Sequence, residues 1–129
     1  MRGLEWLLEL WENRIFPYTN NSKLYIYSGA KTYGNFGKKH SKKINNILSK
    51  AVSLKNKGVI LKEPIERKKL FDRIKSSRVF IYRGSNDETF CMAVAESQML
   101  GVPAVVCDYG CLNERVLNNK TGFVCDSDE

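Results

Sequence analysis

The chain has 129 residues, 43% of them hydrophobic and 27% charged, enough for one soluble globular domain with a core of its own. No apolar run approaches the length of a membrane span and no secretory pattern follows Met1, which argues against a helical membrane span and gives the cytoplasm as the default compartment. The net charge of +7 is uneven: residues 1–58 hold 11 basic and 3 acidic side chains, residues 59–129 hold 10 and 11, and no acid lies between Arg14 and Lys62. The first half therefore favours an anionic partner: phosphate donor, nucleic acid or membrane surface.

Leu4, Leu7, Leu8 and Trp11 recur at helical spacing, with Glu5, Glu9 and Glu12 on the other face. This predicts an amphipathic helix over residues 2–13 that covers a sheet, with Trp6 and Trp11 as core or interface anchors. Pro17 and Asn20-Asn21 break the chain before residues 23–28, where Leu24 and Ile26 alternate with Tyr25 and Tyr27 as in a strand. Residues 29–39 carry Gly29, Gly34 and Gly37 without a strict nucleotide fingerprint and read as a flexible loop. Ile44, Ile47, Leu48, Ala51 and Val52 mark one face of a helix over residues 41–54, with Lys39, Lys42, Lys43 and Lys50 around the rest. A basic amphipathic helix can dock on an anionic membrane, yet its apolar face is more simply the one covering the sheet. Aromatics interleaved for single-stranded nucleic acid are sparse here, which argues against that partner.

Residues 59–61 read as a short buried strand, residues 66–76 as a helix with Leu70, Phe71 and Ile74 inward, and residues 79–82 as the next strand. Residues 84–87 have turn chemistry, residues 89–100 form a helix with Glu96 as its single charge, and Gly101-Val102-Pro103 ends it. A strand at 104–107, a Gly-containing loop at 108–111, a short helix at 113–117 and a final strand at 122–125 follow, then an acidic tail at 126–129. Strands alternating with helices at this rhythm predict an α/β, Rossmann-like three-layer sandwich with a parallel sheet. Cys91, Cys107, Cys111 and Cys125 show no paired CxxC spacing and read as reduced packing thiols. His40, the only histidine, sits in a lysine-rich stretch and reads as a solvated surface residue.

The chemistry concentrates in residues 79–108. Asp87 and Glu88 fall where the central helix begins, and Glu96 is a carboxylate on an otherwise apolar helix. In open α/β sheets ligands bind beyond the carboxyl ends of strands, where helix N-termini offer free N–H groups to phosphate. Carboxylates at the mouth and farther down the helix could accept hydrogen bonds from hydroxyls on either side of that phosphate, which suits a sugar nucleotide. The other explanation is structural: Asp87 and Glu88 complement the helix dipole, and Glu96 pairs with a basic side chain.

Seven residues separate Glu88 from Glu96, with Thr89-Phe90-Cys91 after the first and Gly101-Val102-Pro103 beyond the second. The order also includes MRGLEWLL at residues 1–8, KLYIYSG at 23–29, NERV at 113–116 and KTGFV at 120–124. Together these resemble the motifs of the retaining glycosyltransferases of family 4, whose GT-B fold comprises two Rossmann-like domains. The resemblance covers residues 1–125 as the carboxyl-terminal, donor-binding half of a GT-B fold.

The resemblance implies transfer of a sugar, with retained anomeric configuration, from a nucleoside diphosphate sugar to a glycan or lipid-linked acceptor in polysaccharide biosynthesis at the inner membrane face. By it, Glu88 contacts hydroxyls of the donor sugar near the reacting carbon and Glu96 holds the ribose hydroxyls. Phe90, Cys91 and Met92 offer backbone N–H groups to the diphosphate, and Arg2, beside Gly3, neutralises that charge. The implied donor-binding set is Arg2, Gly3, Glu88, Thr89, Phe90, Cys91, Met92 and Glu96, with no metal and no cofactor. Glu114 is a third candidate carboxylate, or equally a dipole partner at a helix start.

Cys91 stands where many relatives carry glycine, and residues 62–64 lack the glycine expected beside the base. The acceptor domain and the strand before Arg2 are missing from the pattern, so a truncated form, an excised domain or a natural remnant, inactive alone, is expected. Two other readings stay open: a non-catalytic nucleotide-binding remnant, and a sugar-nucleotide epimerase domain of the same fold.

Overall fold

Leu4, Leu8 and Trp11 fall on one side of the first helix, and this stripe starts the fold. In the computed structural model, which describes residues 3–28 and 34–126, helix α1 spans Leu4–Leu10. It runs on through a wider turn over Trp11–Ile15 and a tight turn over Phe16–Tyr18, where Pro17 ends it. Leu8 and Trp11 are buried, and the Trp11 indole N–H donates to the Lys57 carbonyl at 2.7 Å. Residue–residue contacts divide the chain into two compact units, one over Gly3–Ile65 and one beginning at Glu66.

The first unit is a β-α-β arrangement. Strand β1, Leu24–Tyr27, pairs in parallel with β2, Val59–Lys62, in the register Leu24↔Val59 to Tyr27↔Lys62. Between them lie α2, Gly34–Lys39, and α3, Ser41–Ser53. Ile44, Ile47 and Ala51 are the buried residues of α3, as the spacing predicts, whereas Val52, expected on the same face, is 59% exposed in the last turn. Ile47 and Ala51 share the core with Leu8, Trp11, Ile26, Leu54 and Val59. Gly34–Lys39 is helical where the glycines predict a loop. Lys38 and Lys39 sit in its last turn, where cations suit the dipole, and offset the poor glycine propensity. His40 is half-buried at the junction, its carbonyl accepting the Ile44 N–H at 3.0 Å, so it is less solvated than its lysine-rich neighbourhood implies.

The second unit has three parallel strands in the order β3-β4-β5: Phe80–Tyr82, Ala104–Cys107 and Gly122–Cys125. Helix α4, Arg67–Lys75, precedes them, α5, Met92–Met99, joins β3 to β4, and α6, Leu112–Arg115, joins β4 to β5. Cys91, Val94, Ala104, Val106, Leu112 and Val116 form the core, with Phe80, Tyr82 and Val124 packed against it. Gln98 on α5 donates to the Arg115 carbonyl at 3.0 Å and the Thr121 hydroxyl at 2.9 Å, tying the helix to the β5 approach. The fold is thus α/β and Rossmann-like, with every strand pair parallel, in a two-stranded and a three-stranded sheet. The cysteines are free thiols; Cys91 and Cys107 are buried, whereas Cys125 is exposed at the end of β5 rather than in apolar packing.

Candidate functional site

The segment between β3 and α5 differs from its sequence expectation in one respect that sets its geometry. The helix begins at Met92, not at residue 89. Cys91 lies in the left-handed region at φ 53° and caps the helix without a side-chain hydrogen bond. Arg115 draws the Phe90 carbonyl away from helical pairing: its Nε donates to that oxygen at 2.8 Å, and its guanidinium lies 3.7 Å over the Phe90 ring. Asp87, Glu88, Thr89 and Phe90 therefore belong to a loop, and Glu96 stands about one turn inside α5. Helix geometry leaves the first N–H groups of α5 without intrahelical partners, at the positive end of its dipole.

The Glu88 backbone is fixed on both sides. Its N–H donates to the Ser85 carbonyl at 3.0 Å, and its carbonyl accepts the Cys111 N–H at 3.0 Å. Gly110 permits this approach: at φ 55°, a Cβ there would stand 2.4 Å from the Glu88 carbonyl oxygen. The Tyr82 hydroxyl donates to Glu88 Oε2 at 2.7 Å, and Glu88 is half-buried. One helix turn inside, Glu96 Oε1 accepts from Arg67 Nη2 of α4. This is the basic partner that the structural explanation required, yet the Glu96 side chain keeps 20% of its exposure and Oε2 has no partner among the described residues. Glu114 is exposed in the first turn of α6.

Glu88, Thr89, Phe90, Cys91, Met92 and Glu96 thus lie on one loop–helix segment. Gly3 caps α1 in the other unit, at φ 74°, its carbonyl accepting the Leu7 N–H at 2.9 Å. Arg2 lies outside the described residues. Tyr82, Arg83, Arg67 and Arg115 were not among the candidate site residues read from the sequence. Arg83 follows β3 directly, its guanidinium 4.9 Å from the Tyr109 ring and Nη2 3.4 Å from the Tyr109 hydroxyl. Its position at the carboxyl end of a parallel strand was the signal available. Among the described residues no helix is long and apolar enough to cross a membrane.

Parallel strands alternating with helices place the chain in the Rossmann-like class. The family model described as Glycosyl transferases group 1 matches residues 36–129, and the chain belongs to that family. Comparison with curated proteins and with solved structures gives no match.

Proposed function

We propose that this chain is the donor-binding part of a retaining, family 4 glycosyltransferase of the GT-B type, acting on a nucleoside diphosphate sugar. The observation that carries the reading is the pair Glu88 and Glu96, both half-buried, on either side of the α5 N-terminus. In this reading the diphosphate meets the free N–H groups at the start of α5, which stabilise the charge that develops on the leaving group. Glu88 accepts hydrogen bonds from the sugar hydroxyls near the reacting carbon, and Glu96 accepts from the ribose through Oε2. Thr89, Phe90, Cys91 and Met92 line the diphosphate, and no metal is assigned a role.

The acceptor, a glycan or a lipid-linked glycan, is held by the second domain of the GT-B fold. The exposed Lys38, Lys39, Lys42 and Lys43 support contact with an anionic membrane face where a lipid-linked acceptor is presented.

Calorimetry with UDP, GDP, ADP and CMP and their sugar derivatives, repeated with Glu96→Gln, tests this. Selective binding of one nucleoside diphosphate, weakened by that change, supports a donor site. Binding of none of them would remove the claim that this chain holds a working one.

A further inference from the structure

Tyr82 is the last residue of β3, and it packs against the core cluster that includes Val94, Val106 and Leu112. Phe80, two residues earlier on the same face of the strand, has its ring centroid 6.5 Å away at an interplanar angle of 27°. A leucine or phenylalanine would fill this volume equally well. The hydroxyl adds something packing does not need: a donor 2.7 Å from Glu88 Oε2. A tyrosine ring held in a core has few orientations left, so the direction of its O–H is set by the strand. The Glu88 backbone is held through Ser85 and Cys111, and the Tyr82 hydroxyl adds a hold on its carboxylate.

We propose that Tyr82 is a positioning residue for Glu88, holding the carboxylate in the orientation in which it meets the hydroxyls of a donor sugar. The inference rests on the reading of Glu88 as the sugar-contacting carboxylate. A hydrogen bond to a carboxylate is among the stronger ones available, and it removes rotamer states before ligand arrives. The role thus bears on the sugar half of the ligand and not on the nucleotide half.

Tyr82→Phe keeps the ring and deletes the donor. Calorimetry on the full chain compares each nucleoside diphosphate with the corresponding nucleoside diphosphate sugar. The expected result is nucleoside diphosphate affinity within about twofold of wild type, with the added affinity due to the sugar reduced about tenfold. A ligand-free double-mutant cycle of Tyr82→Phe with Glu88→Ala, read by urea denaturation, is expected to show coupling. Absence of coupling would overturn the proposal, because the hydrogen bond would then hold nothing. Coupling with an unchanged sugar contribution would overturn the positioning role and leave the donor site standing. Failure of wild type to bind any of these nucleotides would overturn the donor reading and this proposal with it, whatever the cycle gives.

Discussion

Arg67, in the first turn of α4, donates to Glu96 across 29 positions of sequence, and its guanidinium also lies 5.1 Å over the Phe71 ring. The two ends of the pair differ in setting, since the Arg67 side chain is 68% exposed and that of Glu96 20%. A mostly solvated guanidinium adds about 0–1 kcal/mol to stability. What it does to Glu96 is orient it, engaging Oε1 and leaving Oε2 open.

Arg67→Ala is accordingly expected to leave the denaturation midpoint nearly unchanged while weakening nucleoside diphosphate binding by about three- to tenfold, through loss of a preset carboxylate. Glu96→Gln is expected to weaken it at least as much. Tighter binding by Arg67→Ala in calorimetry would instead make the arginine a competitor of the ribose.

Gly110 offers a sharper test of the Glu88 loop. A methyl at 110 meets the Glu88 carbonyl oxygen at 2.4 Å and both Glu88 Cβ and the Ser85 carbonyl oxygen at 3.0 Å, in backbone that disfavours any side chain. Gly110→Ala should cost more than about 2 kcal/mol, combining left-handed strain with the clash, and should abolish sugar nucleotide binding. Gly101→Ala is the control: its φ is 77°, but a Cβ there meets nothing within 4 Å. It should cost about 1–2 kcal/mol from backbone strain alone and leave binding intact.

The contrast between these glycines shows what one dimension conveys. Residues 24–27, 59–62, 104–107 and 122–125 were legible as strands to within a residue or two, because β-branched and aromatic runs bounded by breakers have few other uses. The start of α5 was not, since Thr89 and Phe90 are compatible with a helix and only Arg115, 25 positions on, takes the Phe90 carbonyl out of it. The helix over Gly34–Lys39 was hidden by two glycines. Glu88 and Glu96 stood out as carboxylates in an apolar stretch, but their partners Tyr82 and Arg67 are chosen by packing, which spacing does not encode.

Cys91 joins sequence pattern to backbone strain. By the resemblance it stands where many relatives carry glycine, and its φ of 53° is backbone that favours glycine. A non-glycine residue there costs about 1–2 kcal/mol, while burying a small side chain returns about 1 kcal/mol. Cys91→Ala retains the strain and loses most of the packing, whereas Cys91→Gly loses the packing and relieves the strain. Urea denaturation should therefore find the glycine variant at least as stable as the alanine variant, although it leaves the larger gap. The reverse order would mean that packing outweighs backbone strain here.

In the first unit, Glu12 provides a pH-dependent test. Its Oε1 accepts from Lys57 Nζ at 2.7 Å. That hydrogen bond holds the carboxyl below its ordinary range; partial burial opposes the shift, and the charges of Lys57 and Lys50 add to it. A folded-state value below the unfolded one means that the unfolded chain takes up a proton first as the solution is acidified. The contribution to stability is thus fully present above the unfolded value, about 4.3, and is lost as pH falls through the folded one. Glu12→Gln should be less stable than wild type at pH 7, with the gap narrowing as the solution is acidified below the unfolded value and closing once the folded carboxyl is protonated as well. Denaturation midpoints of both proteins, followed from pH 7 down into acid, measure it. A gap unchanged by acid would assign the loss to packing rather than to the ion pair.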